Sequence, residues 1–474
     1  AAPPGTSGGS ELPAVQVCVR LRPLLSWEKD LGLKSTSIQI AGGASGTVTL
    51  LPREETQHQR DWEANSVAVS DRGQAARSFG FNAVLGPECS QRDCWERGRV
   101  GELVQRVAEG FNATVFAYGM TGSGKTHTMD GGGPEADDEG LMPRAVGELF
   151  AHVQRLGAED ETGAAQITVK VSYLQVYNEK LYDLLNPATA SPDAARGPGP
   201  HDEATPLRLR WDAVKERFVV QNLFEIECAS AEEAMRLYAQ GARHRQVAAT
   251  SMNAASSRSH AIFSLSFLRQ VPLGGAEASS RPCLGEVSSS LALVDLAGSE
   301  RAASAEQADR FKEAVNINQS LFVLRRVITA LSRRAEPGCD ESSVPVPYRE
   351  SKLTSILQHA VGGNSFMLMM ACVSPADRHY EENLSTLQYA TQAGRVRNEP
   401  QLNLSPKDLL IRQLRQRLEA AHAFILQSLG LDELPPELLE LEARAADPDA
   451  APRRAPRPRV QQQQQQQRGQ GRAA

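Results

Sequence analysis

No apolar run in these 474 residues approaches the roughly 18 needed for a membrane span, and no charged-then-apolar leader opens the chain. Membrane insertion is therefore not expected. Cysteine is sparse and lacks a metal-binding pattern. Of seven (Cys18, Cys89, Cys94, Cys228, Cys283, Cys339 and Cys372), only Cys89 and Cys94 lie close together, and no second pair completes a zinc site. An odd number with that spacing reads as reduced, structural thiols in a cytosolic protein. No basic excess is present, the formal net charge being −6, and no nucleic-acid partner is expected. The chain also does not begin with Met, which reads as a processed or trimmed start. The length suffices for one large α/β domain with appendages, although single domains usually stop near about 250–300 residues.

Against that background stands residues 117–129, AYGMTGSGKTHTM, where Gly119, Gly124, Lys125 and Thr126 have the spacing of a phosphate-binding P-loop. Several backbone N–H groups must converge on one polyphosphate, which requires a Gly-rich turn opening into a helix N-terminus. Lys125 reaches the β/γ-phosphates as a point charge, and the Thr126 hydroxyl is a hard oxygen ligand suited to Mg²⁺. The apolar, β-prone run 113–118 before it supplies the strand of a strand–loop–helix unit.

Two further segments fit a γ-phosphate sensor. Residues 253–260, NAASSRSH, are dense in hydroxyls and carry one Arg, as suits a loop ordered by Mg²⁺ and phosphate oxygens. Residues 295–300, DLAGSE, follow the apolar run 290–295, so Asp295 falls at a strand's C-terminal end, where α/β sheets bind ligands. Gly298, having no side chain, lets its backbone N–H approach a phosphate closely.

These three segments resemble the P-loop and the two switches of the kinesin motor domain. The similarity continues through 15–24 (VQVCVRLRPL), 172–179 (SYLQVYNE), 183–185, 247–250, 312–318 (KEAVNIN), 346–354 (VPYRESKLT), 362–364 and 381–390 (EENLSTLQYA), in the family's order across about residues 12–403. The resemblance implies a P-loop NTPase α/β fold with a central mixed, mostly parallel-type sheet flanked by helices on both faces. It implies ATP as substrate, Mg²⁺ as cofactor and the microtubule as partner. The backbone of Gly119, Met120, Thr121, Gly122, Ser123, Gly124, Lys125 and Thr126 would hold the phosphates. Thr126 and Ser257 would ligate Mg²⁺, with Asp295 acting through its waters. Ser256 and Gly298 would sense the γ-phosphate, and Arg258 with Glu300 would form the ion pair that orders the attacking water. Arg20, Arg22, Pro23 and His127 match the family's adenine pocket.

The second switch should lead into a tubulin-facing helix beginning near Glu313 and running toward Leu331. Here the sequence departs from the family. Residues 301–309 lack the usual Lys and Gly and are about one residue short, Gln319 stands where Lys is common, and Ser355 where Arg is common. Tubulin's outer face is acidic, so each missing cation weakens steering. Arg325, Arg326, Arg349 and Lys352 are the expected compensating contacts, with Arg333 and Arg334 nearby.

The organisation expected is a disordered extension over 1–11, a motor over 12–394, and a neck linker over 395–404. A neck helix follows over 405–429, with Ser405 as N-cap, Pro406 at the first helical position and a short seam (Ile411, Leu414, Leu418, Ala421, Ile425). It suits a weak homodimer or packing on the motor. Residues 430–474, rich in Pro, Arg and Gln, read as a disordered tail. Two functions fit: an ATP-driven, plus-end-directed microtubule motor, or a slow or stationary microtubule-binding component, for example in a cilium. Cytoplasm and cytoskeleton are the expected location.

Overall fold

The computed structural model describes residues 12–41, 46–51, 76–133, 138–159, 166–186, 207–213, 217–251, 258–272, 284–300, 308–340 and 343–404, with isolated helical positions at 410, 414 and 417. The expected N-terminal extension and tail lie outside these residues. So does the neck helix, apart from Leu410, Leu414 and Arg417.

The central sheet is built from β1 (Val15–Leu21), β5 (Ala83–Leu85), β6 (Ala113–Tyr118), β7 (Ile167–Tyr177), β8 (Lys180–Asp183), β11 (Ile226–Cys228), β12 (His260–Pro272), β13 (Leu284–Asp295) and β14 (Phe366–Val373). Its order is β11-β7-β12-β13-β6-β14-β1-β5, with β8 paired to β7. The parallel character expected from the sequence occupies one half, where β13, β6, β14, β1 and β5 run together. The pairs β13–β12, β12–β7, β7–β11 and β7–β8 are antiparallel. A three-stranded sheet, β2 (Ile38–Ala41), β3 (Gly46–Leu50) and β4 (Arg77–Phe81), and a hairpin, β9 (Arg208–Asp212) with β10 (Arg217–Gln221), complete the strands.

Strands of the parallel half are buried on both faces, which explains their unbroken apolar runs. In β14, Met367, Met369, Ala371 and Val373 enter one core, and Phe366, Leu368 and Met370 enter the other. The first core is covered by α7 (Ala308–Arg334), α8 (Lys352–Ile356) and α9 (Tyr380–Ala393). The second lies under α2 (Gln91–Arg97), α3 (Val100–Glu109), α5 (Leu141–Glu159) and α6 (Ala231–Ser251). Short helices α1 (Ser26–Asp30) and α4 (Lys125–Asp130) flank the strand ends. No described helix is long and apolar enough to cross a membrane.

Helix α7 starts at Ala308, five residues before the expected Glu313. The run 308–314, ADRFKEA, has no Gly, Pro or β-branched residue, a composition that favours a helix. After α9 the chain continues along the domain. Asn398 donates to the Ala360 and Ser365 carbonyls at 2.7 Å each, Asn403 N–H donates to the Gly110 carbonyl, and Leu404 makes an antiparallel bridge with Val287. The segment expected to be a neck linker therefore lies docked on the domain.

Candidate active site

Strands β6 and β13 end side by side, Ala117 opposite Asp295, so the P-loop and the second switch segment emerge at one sheet edge. Gly124 caps α4 with φ +99°, a left-handed conformation that favours Gly. The Lys125 ammonium is buried and donates to the Gly119 and Met120 carbonyls, both at 2.9 Å. Burial pushes its pKa below the ordinary lysine value, with Asp295 acting in the opposite sense.

Beside it the Thr126 hydroxyl donates to Asp295 Oδ2 at 3.1 Å, and Arg245 Nη1 donates to the same oxygen at 3.0 Å. Asp295 Oδ1 is buried and has no hydrogen-bond partner among the described residues. A hydroxyl, a carboxylate and a spare buried lone pair in one corner suit a hydrated Mg²⁺. The expected Ser256 and Ser257 lie outside the described residues. Arg245 was not singled out from the sequence. Its signal there is a basic residue in a helix leading into the hydroxyl-rich segment, which gains meaning only once the fold brings Asp295 to it. Arg245 also donates to the Ser259 carbonyl at 3.0 Å.

Glu300 rests on the P-loop. Its carboxylate accepts from the Thr121 N–H at 2.8 Å and the Thr121 hydroxyl at 2.5 Å, while Ser299 N–H donates to the Gly119 carbonyl at 3.1 Å. A Cβ on Gly298 would meet Thr121 Oγ1 and the Glu300 carboxylate, so a side chain there would disturb their contact. Arg258 is half-buried at the start of the segment entering β12. His260, two residues on, is fully enclosed, and burial drops its pKa to about 3.

Around the expected adenine pocket, Arg20, Arg22 and His127 each have a protein partner. Arg20 is buried and donates to Gln91 Oε1 at 3.0 Å and the Thr128 hydroxyl at 2.9 Å. Arg22 grips Glu28 through both terminal nitrogens (2.6 and 2.7 Å), and donates to the Gly122 carbonyl at 2.6 Å and the Pro23 carbonyl at 2.8 Å. His127 receives a 2.7 Å hydrogen bond on its carbonyl from Gln91. Burial and Arg20 push its imidazole pKa down. Gln91, another residue missed in the sequence, thus ties Arg20 to α4.

The expected track-facing cations are not equivalent. Arg325 is half-buried and turns inward, donating to Ser385 Oγ at 2.8 Å and lying over the Tyr389 ring at 5.5 Å. Arg326 is paired with Glu350 on the surface and lies over Phe322, which is 60% exposed. Arg349 is exposed over the Phe218 ring at 5.9 Å, and the Lys352 N–H donates to Glu179 at 2.8 Å. Ser355 is 4% exposed and bonds to the Tyr348 and Ser351 carbonyls, so its hydroxyl completes a buried turn and the position is no lost surface cation. Gln319 is exposed, as expected.

Residues 20–396 match the family model described as the kinesin motor domain. The chain is 39% identical over 360 residues to chromosome-associated kinesin KIF4B of Homo sapiens, covering 75% of this chain and 26% of that protein. It is 36% identical over 401 residues to kinesin-like protein Klp61F of Drosophila melanogaster, covering 82% of this chain and 32% of that protein. A solved structure described as a fast kinesin superposes with a TM-score of 0.64 at 31% identity, covering 83% of this chain and 94% of the other. The chain thus spans about a quarter to a third of the length of these curated relatives.

Proposed function

Because the chain belongs to the kinesin motor-domain family, we propose that it hydrolyses ATP in step with microtubule binding and moves toward microtubule plus ends. The observation that carries this reading is the single corner where Lys125, Thr126, Asp295 and the Glu300–Thr121 contact meet at the end of β6 and β13. Lys125 and the P-loop N–H groups would bind the phosphates. Thr126, Ser257 and Asp295 would hold Mg²⁺, which when bound neutralises charge on the β- and γ-phosphate oxygens. Gly298 and Ser256 would meet the γ-phosphate, and Glu300 would exchange Thr121 for Arg258 to order the attacking water. A γ-phosphate present in one state and absent in the next gives these segments two arrangements. The neck segment after the motor, docked along Asn364 and Gly110, supports the plus-end direction.

A second reading has an observation in its favour. Arg325 turned inward and Arg326 paired engage two of the four expected cations within the protein, which suits a slow or stationary microtubule-binding component. The human and mouse KIF4 relatives are named chromosome-associated, so a cilium gains no support from them.

The test is steady-state ATP turnover with and without taxol-stabilised microtubules, at low and physiological salt, with Glu300→Ala as control. Stimulation abolished in the control supports the motor. Binding without stimulation favours the stationary reading.

A further inference from the structure

His260 opens β12 immediately after the hydroxyl-rich segment, and its imidazole is 2% exposed. Both ring nitrogens are engaged. The Ala297 N–H donates to Nδ1 at 3.0 Å, and Nε2 lies 2.8 Å from Ser320 Oγ. A neutral imidazole that accepts at Nδ1 carries its proton on Nε2, so Nε2–H donates to Ser320. Ser320 is 3% exposed and sits within α7. One rigid ring therefore joins three segments: the strand that follows Arg258, the backbone just before Gly298, and the helix expected to face the track.

The geometry points to His260 as a positioning residue that transmits movement of the Ala297–Gly298 backbone to α7 through Ser320, and so sets how strongly microtubules accelerate ATP turnover. This rests on the proposed function. Gly298 is the residue whose approach to phosphate would change between nucleotide states, and Ala297 is bonded directly to it. A planar ring holds its two nitrogens at a fixed separation. Displacement of Ala297 must therefore either drag Ser320 along or break one of the two hydrogen bonds. Such a made-or-broken contact is a two-state element that can couple two distant sites. A flexible side chain or a water would absorb the displacement instead. Coupling is reciprocal, so the same ring carries the influence of the track on α7 back to Gly298.

The test compares basal and microtubule-stimulated turnover. One buried hydrogen bond is worth about a fivefold change. Ser320→Ala is expected to keep basal turnover within about twofold and to lower stimulated turnover about fivefold. Ser320→Thr, which keeps a hydroxyl, restores stimulation. His260→Asn retains an acceptor for the Ala297 N–H but does not reach Ser320, and gives the same loss of stimulation. The double variant falls no lower than either single one, because all remove the same link. Stimulation within about twofold of wild type in both Ser320→Ala and His260→Asn overturns the assignment, since one lost hydrogen bond should exceed that. Wild-type protein that shows no stimulation refutes the proposed function instead. Hydrogen exchange over residues 319–328, with ADP against a non-hydrolysable ATP analogue, then decides the link alone. A nucleotide-dependent difference in wild type that vanishes in His260→Asn supports it. The same difference in both proteins, or none in wild type, overturns it.

Discussion

The Tyr238 hydroxyl donates a 2.6 Å hydrogen bond to Asp130 Oδ1, tying the last residue of the P-loop helix α4 to α6. Both residues border a cavity of about 910 Å³ that opens between α5 and α6, at the end of α4 remote from the phosphate loop. Burial raises the Asp130 pKa to about 6, against a smaller lowering by Tyr238. A carboxyl whose folded value lies above its unfolded value binds its proton more tightly when folded. Its destabilising effect is therefore full above pH 6 and fades as pH falls toward 4. Asp130→Asn keeps an acceptor for Tyr238 and removes the charge. It is expected to raise the melting temperature at pH 7.5, by an amount equivalent to about 1–3 kcal/mol, with the advantage over wild type shrinking between pH 6 and pH 4. Thermal unfolding at several pH values measures this, and a gain independent of pH would show that the Asp130 carboxyl has the same pKa in the folded and unfolded chain.

The Arg22–Glu28 pair has the opposite sign. The Glu28 side chain is fully buried and Arg22 is nearly so, and hydrogen bonding from Arg22 holds the Glu28 carboxyl below its ordinary value. A depressed folded value gives stability that is present above the unfolded value and lost as pH falls through the folded one. Glu28→Gln leaves a buried guanidinium uncompensated and should cost about 3 kcal/mol at neutral pH. Because Arg22 also holds the Gly122 carbonyl, nucleotide affinity should fall with stability. Denaturant melts beside ADP titrations check both. Lost stability with unchanged affinity would confine the pair to a scaffold role.

Much of the candidate site's layout was legible in the sequence because its segments are local. Gly119 to Thr126 form one turn, and Asp295 to Glu300 follow one strand. What sequence could not supply was the partner of a long side chain. Arg245 finds Asp295 across 50 residues, and Gln91 links Arg20 to His127 across two elements. The same gap hid the burial of Ser355 and the inward contacts of Arg325, since helical position gives a face but does not say what a neighbouring element offers it. The start of α7 was misjudged for a different reason: the sequence of its first turns resembles residues 301–307 in polarity.

For Arg325 the inward position gives a separable prediction. Its contacts with Ser385 and Tyr389 join α7 to α9, so Arg325→Gln should lower the melting temperature while leaving the salt dependence of microtubule affinity unchanged. Exposed Arg349 should behave conversely, Arg349→Gln making affinity weaker and less salt-sensitive without affecting stability. Cosedimentation across a salt series, beside melts, distinguishes them. An Arg325 variant with a shallower salt slope would return that residue to the track face.

Asn364 organises the docked segment. Its Oδ1 accepts from the Gln401 N–H at 2.6 Å, and its Nδ2 donates to Asn403 Oδ1 at 2.9 Å. Asn403 in turn donates to the Gly110 carbonyl through both N–H and Nδ2, each at 3.0 Å. Asn364→Ala removes two hydrogen bonds, together about 2 kcal/mol, and amide exchange over 401–404 should accelerate roughly thirtyfold. Exchange unchanged within about threefold would mean that the Asn403–Gly110 bonds and the Val287–Leu404 bridge fix the segment without Asn364.

Gly298→Ala separates nucleotide binding from hydrolysis. The added methyl would meet Thr121 Oγ1 and the Glu300 carboxylate, displacing that carboxylate from Thr121. Lys125 and Thr126 are untouched by that collision, so ADP affinity should stay within about threefold of wild type while turnover drops by about two orders of magnitude, as expected for a lost positioning contact. The Glu300–Thr121 hydrogen bonds break in the same movement, so Glu300→Ala added to Gly298→Ala should produce little further loss. Turnover and ADP titration of the three variants test this. Additive losses would show that Gly298 and Glu300 act on separate steps, and that the contact between switch and P-loop is not what positions the carboxylate.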